Sequence, residues 1–549
     1  MVRFPPQGVG AALPLKQSFA NAVIGLNPDA RDCMDMEVLV SEGRLTVDQV
    51  AAYVEAVGTA DFWAGVLMAW SVGFSASVLN SSSLSAARAA SIVNSDNLSV
   101  SKAASIFDNA NLTASKAALI FDNANLSASK VASICDSANI TSARLKAFLD
   151  SGKFTNADKV AAVLDGDSLT AADAASHIQS AIYTDALYIS ALESTYLSTA
   201  KAQSILAHTN LTADRTQTLL YGMSLASKLV DILTYGAGDL TVSANTSISG
   251  VNRYRTLTVN SGVTLTITGQ PGVLIVKTLN NSGTIAKSAS GGAGGAPGAT
   301  GAGAGGAGGG GLVIFADSLV NGGVISADGA AGGNGSTVAA SAHGGNGGSG
   351  VFIRVGADAA GSGGDGGNPS GTSLNPGGVN GAGGGGTGTG YYGGAGDGSS
   401  YTDFTDYATL ATRIRQSVID WFIVNILAKS PTSTQAIPNA YGSGGGGAGA
   451  YDTLCAAGGG GGGGGEVLAL CVSLNNTGTI RANGGNGGNG GTEGPNDSGG
   501  GGGGGGIVYV LYKNLNYSGT LSAAYGTAGS TGDNLGTNGT AGTAKAVMV

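Results

Sequence analysis

The side chains able to do acid–base, metal or nucleophile chemistry are few and scattered. Three histidines, His177, His208 and His343, stand far apart, and none has the His-x-x-x-His spacing that sets two imidazoles on one helix face. His177 and His208 fall in helical repeats, where a solvated or core-edge imidazole is expected. The four cysteines are Cys33, Cys135, Cys455 and Cys471, and no pair has the Cys-x-x-Cys spacing of a zinc or redox site. Cys455 and Cys471 share one region, either as a disulfide or as two small buried apolar side chains. Gly-x-Gly-x-x-Gly matches recur in the second half. A glycine-dense composition guarantees them, and none opens a helix after a strand as a dinucleotide site requires. Asp365 and Asp397 are isolated, unlike the repeating Asp of calcium-binding glycine nonapeptides. The pattern predicts no enzyme, no cofactor and no metal.

Recognition chemistry is better represented. Tyr391, Tyr392, Tyr401, Tyr407, Trp421, Tyr441 and Tyr451 crowd one stretch. A tyrosine ring offers a flat apolar face with a hydroxyl at its tip, which suits sugars and mixed surfaces. These seven are candidate receptor-binding residues; the competing expectation is that they pack a helix or a subunit interface. Asn-x-Ser/Thr sequons are frequent, with Asn245, Asn475 and Asn516 as candidate glycosylation sites. Those at Asn80, Asn97, Asn111, Asn125, Asn139 and Asn210 follow from turn asparagines preceding Ser/Thr caps.

Composition narrows the class. Charged residues make up 11% of the 549, against roughly 25% in an ordinary soluble domain, and there are 98 glycines. A net charge of -9 without a basic cluster argues against nucleic-acid binding, which needs Lys and Arg to neutralise phosphates. The opening segment MVRFPPQGVGAALPLKQ lacks the pattern of a secretory signal. Phe62 to Leu79 runs eighteen residues without a charge, so it predicts either a buried helix or membrane contact.

The elements that must position these residues come in two textures. Leu84, Leu98, Leu112, Leu126, Ile140 and Phe154 recur every fourteen residues; after a one-residue slip and a degenerate unit the register returns at Leu197 and Leu211. In each unit a Ser or Thr (Ser85, Ser99, Thr113, Ser127, Thr141) follows the leading apolar residue, as an N-cap should. The leader can staple onto the fourth helical residue (Ala103, Ala117, Val131). Helices of about ten residues are marginal alone, so the units must stack. Asp108, Asp122 and Asp136 are expected to lead into turns.

From about residue 240 β character takes over. VLIVKTLNNSGTIAKSASGGAGG, LVIFADSLVNGGVISADGAAGGNG, VLALCVSLNNTGTIRANGGNGGNGG and IVYVLYKNLNYSGTLSAAYGTAG share a strand, a glycine turn, a short strand and a glycine tract. Gly283, Gly323, Gly478 and Gly519 align, as do Ile285, Ile325, Ile480 and Leu521, which suggests stacked rungs. Glycines at every third position (Gly485, Gly488, Gly491, Gly494) match the polyproline-II period, where a bare position lets such helices pack closely. Helical periodicity returns only at 401–430.

The expected fold class is α + β multidomain: a short-helix repeat array, then a glycine-rich β-solenoid or layered β domain with polyglycine-II segments. The boundaries read as 1–80 for attachment or oligomerisation, 81–235 helical repeats, 236–290 β connector, and 291–549 glycine-rich with a helical insertion at 401–430. Over roughly 270–549, repeats such as GGGGGGGGEVLALCVSLNNTGTIRANGGNGGNGG resemble the glycine-rich tail-fibre and spike adhesins of tailed phages and archaeal viruses. That resemblance implies a virion-surface structural subunit, often a homotrimer, that joins other virion proteins and contacts a host-surface glycan or protein. It transfers no functional residue. The alternative expectation is a cellular extracellular coat, sheath or filament protein.

Overall fold

A computed structural model describes residues 33, 35–288, 303–335, 347, 406–435, 458–491, 499–530, 536 and 538–549. The chain divides into two compact units, Met1–Met223 and Ser224–Val549.

The first unit is an array of short helices: α1 (Met36–Ser41), α2 (Val47–Ala56), α3 (Ala60–Ala69), α4 (Val72–Asn80), α5 (Ala86–Asn94), α6 (Val100–Asp108), α7 (Ala114–Asp122), α8 (Ala128–Cys135), α9 (Ser142–Asp150), α10 (Ala157–Asp165), α11 (Ala171–Gln179), α12 (Asp185–Glu193), α13 (Thr199–Ala207) and α14 (Ala213–Gly222). Each expected N-cap works as such: the side chains of Ser85, Ser99, Thr113, Ser127 and Thr141 accept from the backbone N–H three residues on. A cap of this kind contributes about 1 kcal/mol. The leading Leu84, Leu98, Leu112 and Leu126 are fully buried, with the apolar pairs Ile106–Phe107 and Ile120–Phe121 beneath them. Phe107 and Phe121 meet at 4.4 Å between ring centroids, and Phe148 meets Phe121 at 5.4 Å.

The array starts upstream of residue 81, because Thr46, Thr59 and Ser71 cap α2, α3 and α4 in the same manner. This corrects the reading of Phe62–Leu79 as one span. The chain breaks at Trp70–Ser71 into two helices of ten and nine residues. Trp63 and Trp70 are buried, and Trp70 Nε1 donates to the Cys33 carbonyl. Among the described residues no helix is long and apolar enough to cross a membrane. The slip after Phe154 is a single extra residue, Thr155, whose N–H and hydroxyl both bond to Asp122. Leu169 and Tyr183 then resume the leading position, buried like the rest.

The stacking rule is carried by side chains about 33 residues apart. The last residue of one helix accepts from the cap of the helix three further on: Asn80 from Thr113, Asn94 from Ser127, Asp108 from Thr141, Asp165 from Ser198. In the reverse direction, several basic residues three past a cap donate to carbonyls at the end of the helix three earlier. Lys116 Nζ reaches the Ser81 and Leu84 carbonyls, Lys130 those of Ser95 and Leu98, and Lys201 those of Gly166 and Leu169. A lysine in a first helical turn opposes that helix's own dipole. Here it satisfies the orphaned carbonyls of another helix end. Asp108 and Asp122 end their helices and lead into turns as expected, and they also connect helices.

The second unit begins with α15 (Ser227–Thr234). It continues through β1 (Leu240–Val242), β2 (Thr246–Val259), β3 (Thr264–Asn281), β4 (Thr284–Lys287), β5 (Gly311–Asn321), β6 (Val324–Ser326), α16 (Tyr407–Asn425), β7 (Glu466–Asn476), β8 (Thr479–Arg481), β9 (Ile507–Tyr517), β10 (Thr520–Ser522) and β11 (Thr543–Met548). All strands join one parallel sheet, ordered β10-β8-β6-β4-β3-β5-β7-β9-β11, with β2 beside β3 and β1 beside β2. The repeats stack in register: Leu274, Ile314 and Ala469 align, then Val510, and Ile285, Ile325, Ile480 and Leu521 form a parallel column.

One sheet face closes on an inner core of Leu274, Val276, Leu312, Ile314, Val467, Ala469, Val508 and Val510. The intervening Ile275, Phe315, Leu468 and Leu511 are buried as well. Parallel sheets need cover on both faces. Helix α15 packs on β2, β3 and β5, and α16 on β7, with Tyr407 against Tyr509 at 5.6 Å. The helical segment expected at 401–430 is therefore α16, seated on the sheet. Inside the turns a buried amide ladder runs Asn281 Nδ2 to Asn321 Oδ1, then Asn321 Nδ2 to Asn476 Oδ1, each 2.7 Å.

Candidate functional site

The glycine tracts give the second unit its distinctive surface. Tracts 303–310, 458–465 and 499–506 lead into β5, β7 and β9; tracts 327–335, 482–491 and 523–530 follow the short strands. Within a column the bonds recur at every third residue: Gly306 N–H to Gly460 O and Gly309 N–H to Gly463 O, then Gly461 N–H to Gly501 O and Gly464 N–H to Gly504 O, all 2.8–2.9 Å. Across columns the same period holds, with Gly459 N–H to Gly333 O, Gly462 N–H to Ala330 O and Gly485 N–H to Gly462 O. The approach is too close for a side chain. A Cβ on Gly462 would lie 2.0 Å from the Ala307 carbonyl oxygen, and one on Gly485 2.0 Å from that of Ala330. Glycine is thus required here by close approach of backbones.

In the tracts that follow the short strands, Asn334, Asn486 and Asn489 are exposed. Asn334 Oδ1 accepts from Asn489 N–H, Asn486 Oδ1 from Thr527 N–H, and Asn489 Oδ1 from Ser530 N–H, each 2.9 Å. Asn483 Oδ1 accepts from Ala524 N–H and the Ser522 hydroxyl. Asp328 does the same for Asn483 N–H while pairing with Arg481 at 2.7 Å. These amides are connectors between rungs that sequence reasoning missed. The repeated Gly-Gly-Asn triplet was the available signal.

The tyrosine cluster is only partly placed. Tyr391, Tyr392, Tyr401, Tyr441 and Tyr451 lie outside the described residues. Tyr407 and Trp421 are half-buried on α16. Fourteen positions separate them, about 21 Å along a helix axis, so these two do not form one pocket. Among the glycosylation candidates, Asn245 and Asn516 are exposed and Asn475 is half-buried. Asn245 Oδ1 accepts from Thr264 N–H. In the helical array, Asn111, Asn125, Asn139 and Asn210 donate their amide N–H to carbonyls of Gly73, Ala87, Ser101 and Ala172. A glycan on those four would break the stack.

Cys471 is a free thiol in the inner core, donating to the Leu511 carbonyl, with burial pushing its pKa up to about 12. Cys471 thus fits the expectation of a small buried apolar side chain, and Cys455 lies outside the described residues. His343 also lies outside them. His208 accepts from Asn210 N–H at a helix end. His177, expected to be solvated or at a core edge, is instead fully buried between Asp150 (Nδ1 to Oδ1, 2.7 Å) and the Tyr188 hydroxyl (Nε2, 3.1 Å). Burial holds its pKa below the usual range despite the carboxylate. Both imidazole nitrogens are thus bonded within the core. Glu466 is fully buried at the start of β7, and burial favours its neutral acid. Among the described residues no three His, Cys, Asp or Glu side chains group to hold a metal.

Comparison of the chain with models of known protein families, with curated proteins and with solved structures gave no match. Function is therefore read from the geometry alone.

Proposed function

We propose that this chain is a non-enzymatic structural subunit of a virion fibre or spike, presenting its glycine-rich unit outward for attachment to a host surface. In this reading the Ser224–Val549 unit is a β-solenoid whose glycine tracts run as polyglycine-II helices. The observation that carries it is the period-three main-chain bonding between tracts, in step with the register of the strands. Such a lattice couples each rung to its neighbours through repeated main-chain bonds, which favours stiffness over catalytic adaptability. A rigid scaffold preorganises whatever its loops and faces present, and so lowers the entropy lost on binding. The helical array suits a spacer or attachment element, since many of its helices are tied through their ends to the third helix along. Virion-surface location, assembly with further copies and with other virion proteins, and contact with a host glycan or protein belong to this proposal.

Immunogold electron microscopy with antibody to the glycine-rich unit tests the reading, on cells and released particles from a culture producing the chain. Label on particle projections is the expected result. Label confined to the cell envelope would replace the reading with a cellular coat or filament, and label in the cell interior would overturn both.

A further inference from the structure

We infer that the outer face of the glycine layer is a binding surface for an uncharged polysaccharide, with Asn334, Asn486, Asn489, Thr527, Ser530 and Tyr525 as its contacts. This rests on the attachment reading and names the ligand class of the displayed unit.

The three asparagines are exposed, yet their amides are fixed. Each spends its Oδ1 on a backbone N–H of the neighbouring rung: Asn334 on Asn489, Asn486 on Thr527, Asn489 on Ser530. A backbone N–H can meet only the oxygen of an amide, so the orientation is set and Nδ2 faces away from the rung. The main-chain carbonyls of Asn486 and Asn489 are also engaged, by Gly332 and Gly335 N–H. The result is a grid of side-chain N–H donors. Its repeat is about 9 Å along a tract, three residues at about 3.1 Å, and about 4.8 Å between rungs. Thr527 and Ser530 add exposed hydroxyls on the next rung. Tyr525 is 45% exposed in the same tract, two residues before Thr527.

This chemistry selects its partner. Tracts 482–491 and 523–530 contain no charged residue, so an anionic polymer finds no Lys or Arg to neutralise it. Asn334, Asn486, Asn489, Thr527 and Ser530 are all polar, and Tyr525 is the one exposed ring in their tracts, so a lipid or apolar peptide finds little to bury. A second copy placed by a two-fold axis would set this donor face against itself. A neutral polysaccharide supplies what is missing: regularly repeated hydroxyl and ring oxygens as acceptors, and a sugar face for the tyrosine ring. Because the donors are prepositioned by the lattice, binding orders little further.

Affinity electrophoresis of the full chain through gels containing a neutral β-glucan, an α-mannan or an N-acetylglucosamine polymer tests the inference. The triple variant N334D/N486D/N489D keeps every oxygen that holds the rungs and removes the donors; Tyr525→Ala removes the ring without touching the lattice. The expected result is retardation of the wild-type chain by at least one polymer. The triple variant should bind it more than tenfold more weakly, and Tyr525→Ala several-fold more weakly. Absence of retardation by all three polymers would overturn the inference, as would retardation equal in all variants. Self-association of the wild-type chain in sedimentation, lost in the triple variant without any polysaccharide binding, would reassign the face to contact between copies. Attachment of the chain to cell surfaces that persists in both variants would sink this surface and leave the display function standing. Loss of attachment by the wild-type chain itself would remove both.

Discussion

Replacing Gly462 with alanine should unfold the glycine layer locally, out of proportion to the one methyl added. The new Cβ would sit 2.0 Å from the Ala307 carbonyl oxygen and 2.9 Å from that of Gly306. Relief needs a shift of about 1 Å, which stretches neighbouring 2.8 Å bonds to about 3.8 Å, beyond a hydrogen bond. The bonds at stake are Gly462 N–H to Ala330 O and Gly309 N–H to Gly463 O. Two buried hydrogen bonds lost, counting about 1–3 kcal/mol for the donor that each leaves unsatisfied, put the cost at roughly 2–6 kcal/mol. Gly65→Ala is the matched control: a methyl added at that position meets open space, and it lies in α3, where alanine is favoured over glycine. Denaturant unfolding followed by amide exchange reads the second unit separately, since a two-unit chain need not unfold in one step. A Gly462→Ala variant within about 0.5 kcal/mol of wild type, the range of a neutral surface change, would refute the close-packed lattice.

In the helical array, Lys116→Ala strands the Ser81 and Leu84 carbonyls and should lower stability by about 1–3 kcal/mol, measured by thermal unfolding of residues 1–223 within the full chain. A purely solvated lysine would show no loss. Asn321→Leu cuts the amide ladder on both sides, and urea unfolding of the second unit should show roughly 1–3 kcal/mol for each amide group stranded. His177 supplies a pH signature. Burial sets its folded pKa below the 6.5 of a free imidazole, with Asp150 pulling partly back. The unfolded chain then binds more protons below about pH 6.5, so this contribution is complete above that value and is lost as pH falls. Asp150 is itself pushed up by burial but held lower overall by bonds from Lys146 and His177, so its contribution fades only at more acidic pH. Melting between pH 7.5 and 5 should fall for wild type and fall less for His177→Gln; identical slopes would contradict the buried relay.

The fourteen-residue unit was legible because a cap, a leader and an apolar pair are local requirements, set within one helix. Ser99, Leu98 and Ile106–Phe107 declare themselves without knowledge of neighbours. The partner of each helix was not legible, since Asp108 meets Thr141 only after the chain has coiled through three units. A basic residue in the first turn, where an acidic one is favoured, was the available sign, at Lys102, Lys116, Lys130 and Arg144. In the second unit the aligned turns at Gly283, Gly323, Gly478 and Gly519 foretold the register, because parallel stacking repeats one pattern per rung. The role of the outward asparagines was hidden: Gly-Gly-Asn reads as low complexity until Asn486 is seen to accept from a backbone amide 41 residues away. The uncharged run Phe62–Leu79 is not one helix because Ser71 caps a new helix there, and hydropathy alone does not register a cap.

Native-state amide exchange over residues 458–465, 482–491 and 499–506 bears most directly on the ordered glycine stack. Protection equal to that of the flanking strands β7 and β9 is the predicted result, alternating with the period of three seen in the bonding. Exchange at the rate of an unstructured chain would contradict the account at its base.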